Sequence, residues 1–521
     1  MTGRIPLPGL GLLCLLGACA EPGPTVFSDS TETATEGSVD ADPEESSDAG
    51  DSIAGEADGS SAQTDADADV HPQLVGAIHL PMEPQREGDP DVGWQVLLEG
   101  AYVGCGVPEA IYELAGFAGV TLSGPPAPGS DSGLPYYLSR FTTAQGVDVI
   151  APNCLTCHAE VVDGEVIVGL GATTLDYSGI AGMFGNFDAN LIATIEQAFP
   201  GMFTEAELAE LEKFAGRLTA VLPYIQPETA GVNPADNLAA ALFAHRDPET
   251  LAWSDELLLE PPPTNVAPLD VPAWWRMRGK SSMLALGAGR GDHARIMMTA
   301  STLCVDSVEV AEIIDQTMPD LRAFIVSLEA PSYPGLLEEE LVEEGRGIYE
   351  STCAHCHGSA EPGSEYPNLV IPLEVIGTDA TIAEGTAQFA ERFIQWFHDS
   401  FYGELARLEP NAGYIAPPLH GVWMTAPYFH HGAVPLLTQV LDSSSRPMYW
   451  RRSIVETEYD AAAGGWPIDV LDHGKEGATS EVGALRIFDT TLPGYGNGGH
   501  VFGDHLTASE RSAVVEFLKT L

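Results

Sequence analysis

Residues 337–358 read LEEELVEEGRGIYESTCAHCHG, and the segment from Ser351 to Gly358 decides the fold. Cys353 and Cys356 stand three residues apart, the spacing that puts two side chains on one helix face, and His357 follows directly. Two thiols so placed reach two vinyl groups of one porphyrin, and the adjacent imidazole meets its iron. The same string occurs earlier, as Cys154-Leu155-Thr156-Cys157-His158. Zinc would need more ligands close by, yet neither string has another cysteine within forty residues. A thioredoxin-like CxxC needs no histidine after it. The pattern therefore predicts two covalently attached haem c groups, with His158 and His357 as proximal iron ligands.

Working outward, the residues before Cys353 predict a helix with Leu341, Gly345 and Ile348 on one side. The chain ends in LTASERSAVVEFLKTL, where Thr507 and Glu510 have capping-box spacing and Val514, Phe517 and Leu518 form an apolar stripe. Gly345 would let the two helices cross closely. First and last helices crossing beside a haem resemble a small cytochrome c domain, so residues 336–521 are expected to form one, opening after APSYPG. Residues 73–335 are expected to form a first cytochrome c-like haem domain. The fold class expected is mainly α, with two such domains, long loops and a few short β-hairpins. One hairpin is read in HAEVVDGEVIVGLG, turning at Asp163-Gly164.

The balance of 22 Lys+Arg against 76 Asp+Glu gives a net charge of −54. Fifteen of the acids fall between residues 21 and 70, so residues 71–521 still carry 61 acids against 21 bases. No basic stripe exists to displace counterions, which argues against a nucleic acid or an anionic lipid surface as partner. An acidic body suits solubility, or docking of a basic redox partner protein. The opening MTGRIPLPGLGLLCLLGACAEPG resembles a bacterial lipoprotein signal ending at Cys19; an ordinary signal peptide cut after Gly17-Ala18 fits as well. Residues 1–19 are thus read as a signal and 20–72 as a disordered acidic tether, because that composition cannot bury enough apolar surface to fold. The expectation is an exported protein, periplasmic or anchored to the outer membrane or cell surface by lipid alone. Cys105 and Cys304 remain: a disulfide pair, or two unrelated thiols.

The segment APPLHGVWMTAPYFHHGAVPLLTQVL, residues 416–441, with Arg446-Pro447 after it, resembles the bacterial di-haem cytochrome c peroxidase superfamily. That group includes the di-haem enzyme that matures methylamine dehydrogenase and the secreted rubber oxygenases; the last branch is the most similar. The resemblance implies that one haem relays electrons while the other reacts with peroxide or dioxygen. It places the distal ligand of the second haem just before the last helix, where GYGNGGHVFGDH offers His500, with His505 as runner-up. Arg446 is expected to pair with a haem propionate or to anchor a turn. His430 and His431 are expected to hydrogen-bond rather than ligate.

The peroxidases of that group carry a distal histidine soon after their first CxxCH, and here none occurs between His158 and His245. An open first iron is the expectation that follows, with His293, Met297 and Met298 as side chains that could close it. In DVPAWWRMRGK, Trp275 (or Trp274) is the candidate electron relay or pocket wall. GAGRG at 287–291 lacks the strand-to-helix setting of a nucleotide loop. Three functions remain open: a peroxidase- or oxygenase-like enzyme, an electron-transfer lipoprotein with two closed haems, and a non-catalytic sensory module.

Overall fold

The computed structural model describes residues 74–117, 122–176, 191–452 and 458–521. The signal and the tether, with Cys14 and Cys19, lie outside the described residues. Among those described, no helix is long and apolar enough to cross a membrane.

Two pairs of crossing helices frame the molecule. In the first half, α1 (Pro90–Glu99) packs on α2 (Met318–Ser327). Asp89 caps α1 by accepting from the backbone N–H groups of Asp91 and Val92, and Pro90 occupies the first turn, where its missing N–H costs nothing. In the second half, α3 (Glu339–Thr352) packs on α4 (Ala508–Leu518), whose Thr507–Glu510 capping box forms as the sequence predicts. Val514 and Phe517 are fully enclosed, each contributing about 1.5–3 kcal/mol of burial.

Each crossing turns on one glycine. A Cβ on Gly345 would collide with the carbonyl of Ala513, and one on Gly93 with the carbonyl of Asp320. Tyr349 then meets Phe517 at 5.1 Å in the second pair, and Trp94 meets Phe324 at 5.0 Å in the first. The first crossing was not anticipated, although Asp89-Pro90 followed by Gly93 is a readable helix start.

The described chain is mostly helical with several small antiparallel sheets, which is more strand than a few hairpins. The expected hairpin is present, Ala159–Val162 against Glu165–Val168. Other sheets join distant segments. Ile78–His79 and Gly413–Ile415 flank Leu369–Pro372, and Gly289–Gly291 pairs with Ala406–Leu408. Strands of two to four residues show no alternation long enough to read. They also stitch the two halves across the break at 335/336. The core around the first motif is shared in the same way: Leu155, Ala159 and Trp274 cluster with Phe393, Trp396, Phe397 and Tyr402.

Cys105 and Cys304 form a disulfide, with Cα atoms 5.6 Å apart, closing a loop of 199 residues' separation. It fixes the strand Val107–Pro108 region to the turn at 302–306, which Arg246 gathers by donating to the carbonyls of Thr302, Leu303 and Val305.

Candidate functional site: two cysteine-histidine motifs joined by a tryptophan pair

Each CxxCH string ends in a one-turn helix, Leu155–His158 and Ala354–His357. None of the four cysteines is in a disulfide, and burial pushes the Cys154 and Cys356 thiols up to about 11. At the first motif, Asn153 accepts from the Leu155 N–H and donates to the Tyr136 carbonyl and Ser139 Oγ. Tyr102 accepts from the Cys154 N–H and donates to Leu97 O, tying the motif to α1. At the second, α3 runs straight into the motif, and the Tyr349 hydroxyl donates to the Gly358 carbonyl to close the turn.

The two proximal imidazoles are held differently. His357 Nδ1 lies 2.7 Å from the carbonyl of Pro417, which fixes Nδ1–H as the donor and leaves Nε2 for a metal. His158 has the Pro272 carbonyl as its favourable backbone neighbour, but its Nδ1 closes no hydrogen bond of ordinary geometry. Its ring instead stacks on Trp274, with centroids 4.7 Å apart and planes 22° from parallel. Burial lowers the pKa of both histidines, that of His158 to about 4, so both are neutral at physiological pH, the form a metal would require.

Opposite His357 stands His500, with ring centroids 6.2 Å apart. Two metal–nitrogen bonds of about 2 Å each plus the radii of two imidazole rings come to about 6 Å. An iron between them therefore fits. His500 sits at φ 44°, in the left-handed region that an ordinary residue occupies only when its surroundings insist. Those surroundings are specific. The His500 N–H donates to Ile376 O at 2.7 Å, and Gly499 packs so closely on Gly377 that a Cβ would strike it. Burial, then the neighbouring His357 and Arg446, hold His500 down to about 3. His505, the runner-up, is exposed.

Of its two readings, Arg446 takes the turn-anchoring role. Its guanidinium donates to the carbonyls of Gln439, Val440, Asn497, Gly499 and His500. Its donors are thus spent on tying the loop that carries His500 to residues 439–440. It also lies 5.0 Å over Phe429, which in turn is 5.9 Å from His500. His431 hydrogen-bonds as expected, through Nε2 to the Gly496 carbonyl of the same loop. His430 stacks on Tyr414 at 3.8 Å.

For His158 the structure shows no counterpart to His500: among the described residues, its ring partner is Trp274. Met298 is enclosed in the core and Met297 packs against that core. His293 is 1% exposed and neither ring nitrogen closes an ordinary hydrogen bond, yet it makes no ring contact with His158.

The tryptophans connect the motifs. Trp274 faces His158, and next to it Trp275 donates from Nε1 to the His420 carbonyl at 2.9 Å. Three residues back along that backbone is Pro417, the acceptor for His357. Arg276 reinforces the joint by donating to the same His420 carbonyl and to Thr425 Oγ1. The sequence singled out Trp275 first; the ring on the histidine is Trp274.

Residues 413–451, which hold the TAPYFHHG core and Arg446, match the family described as RoxA-like, cytochrome c-like. Two uncharacterized proteins of Sinorhizobium fredii, y4iJ and y4iM, are each 25% identical to the chain, over 290 and 261 residues. The matches cover 43% and 44% of this chain, and 46% and 56% of those proteins. The chain thus spans about half the length of the curated relatives it matches. A cytochrome c-like domain implies haem c.

Proposed function

We propose that this chain is an exported di-haem c-type cytochrome with two unlike haem sites. Cys353, Cys356, His357 and His500 would hold one haem, which would supply electron storage and relay. Cys154, Cys157 and His158 would hold the other, which would supply reactivity toward dioxygen or peroxide. One observation carries this reading: His357 faces a second imidazole at bis-histidine distance, whereas His158 faces a tryptophan. A filled axial position suits electron transfer, and an open one suits binding and reduction of a small oxidant.

The chain's own residues have distinct tasks in this scheme. Pro417 fixes the tautomer of His357, Arg446 holds the His500 loop, and the buried aromatic cluster of Phe243, Trp396 and Phe397 keeps water from the core around the first motif. Trp274 and Trp275 provide the short path between proximal histidines. The disulfide and the opening signal-like segment fit export, with a lipid anchor as the only membrane attachment. The electron partner is a redox protein docking on an acidic surface.

Rapid mixing of the reduced protein with dioxygen or hydrogen peroxide tests the reading. The first haem should oxidise first and the second should follow through it. A second reading is electron transfer through two closed haems, with His293, buried and without an ordinary hydrogen bond at either ring nitrogen, as the side chain that would close the first iron. Sluggish oxidation of both haems together would select it.

A further inference from the structure

A small chamber of about 30 Å³ has wall residues that neighbour each motif. Thr173 stands on its wall on the first-motif side, one residue after Ala172, whose N–H donates to the Cys157 carbonyl at 2.8 Å. On the other side are Pro427 and His431, from the segment whose Phe429 packs on His500.

Arg452 enters this chamber with 7% of its surface exposed. Its Nη1 donates to Thr173 Oγ1 at 2.6 Å, and its guanidinium lies 4.2 Å over the Trp466 ring. Its Nε and Nη2 are buried and have no hydrogen-bond partner among the described residues. Those two N–H groups share one edge of the guanidinium and point in parallel, the geometry that grips both oxygens of a carboxylate. Arg486, on the same wall, also has a buried and unpartnered Nε.

The nearby carboxylates do not serve this edge. Glu160 accepts from the N–H groups of Thr173 and Thr174 and from Thr174 Oγ1, so its oxygens are committed. Asp270 lines the chamber without bonding Arg452, and burial raises it to about 8, which leaves it mainly protonated at neutral pH. Buried charged donors left unpaired are costly, and a chamber that presents them is built for an acceptor.

We infer that the Nε/Nη2 edge of Arg452, assisted by Arg486, binds a carboxylate in this chamber. The carboxylate has two possible sources: a propionate of a haem held at one of the motifs, which rests on the function proposed above, or a free small carboxylate.

The test uses the full chain as wild type, Arg452→Gln, Arg452→Lys and Arg486→Gln. Intact mass counts covalent haem in every sample, and spectroelectrochemistry reads both midpoint potentials with and without acetate. If a propionate is bound, Arg452→Gln keeps both haems but lowers one midpoint potential. The reduced-to-oxidised ratio of that haem at the wild-type midpoint then falls about tenfold, about 59 mV for one electron, and acetate changes nothing. If the carboxylate is free, acetate shifts the wild-type melting temperature saturably and Arg452→Gln abolishes the response. If Arg452→Gln does not fold, Arg452→Lys, which keeps the charge but loses the paired edge, and Arg486→Gln carry the same comparison. Wild-type potentials and stability in folded variants, together with no acetate response in the wild type, overturn the inference. A wild-type protein without covalent haem removes the proposed function and the first source, and the acetate arm then decides alone.

Discussion

At the second motif His357 looks across 6.2 Å at His500; at the first, His158 lies almost flat against Trp274. The five-residue pattern is the same, so the difference comes from elsewhere in the chain. Around His500 a single arginine gathers five carbonyls, a glycine pair lets two loops touch, and a left-handed backbone aims the ring. Around His158 the supporting residues come from aromatic side chains of both halves. A repeated attachment string thus says where a haem would be tied, and the far side of each site says what that haem could do.

Removing the tie has the largest expected effect. Cys353→Ala with Cys356→Ala should delete one covalent haem, and Cys154→Ala with Cys157→Ala the other, each read as one lost haem by intact mass. His500→Ala comes next. It should convert the second haem from a low-spin to a high-spin optical and paramagnetic spectrum while the first haem keeps its own. An unchanged spectrum would remove the asymmetry on which the comparison stands.

The helix crossings sharpen the comparison at the level of stability. Gly345→Val drives a side chain into Ala513 and Gly93→Val drives one into Asp320, so each should cost about 3 kcal/mol in thermal or denaturant unfolding. Gly345→Val should disturb the second haem's spectrum and Gly93→Val the first. Trp275→Phe removes the bond to the His420 carbonyl without touching a ligand. Both haem spectra should stay as they are, and electron exchange between the haems should slow.

The smallest effect is on pH dependence. Burial lowers His431 to about 4 from 6.5. Below about 6.5 the unfolded chain takes up a proton that the folded one refuses, so stability falls as pH drops from about 6.5 to about 4. His431→Gln should lessen that slope in pH-dependent unfolding.

What could be read from the residues follows the range of the interactions. The CxxCH strings, the Thr507 cap and the hairpin at Asp163-Gly164 rest on spacings within a few residues and are legible in the sequence, whereas the α3–α4 crossing at Gly345 was read through likeness to a small cytochrome c domain. His500 became legible through the resemblance of the 416–441 segment. The role of Arg446 was legible only as one of two alternatives, because its five acceptors are backbone carbonyls that leave no mark on sequence. The short sheets were hidden for a similar reason: Ile78 finds Val370 nearly three hundred residues away. The α1–α2 crossing had a local signal in Asp89, Pro90 and Gly93, but its motif lies far downstream, so the helix and the haem string do not read as one unit.

Carbon monoxide titration of the fully reduced protein tests the central asymmetry most directly. One carbon monoxide bound for every two haems, at a haem that remains when Cys353 and Cys356 are replaced and disappears when Cys154 and Cys157 are, is the predicted result. No binding at either haem, or binding at the haem tied to Cys353 and Cys356, would contradict it.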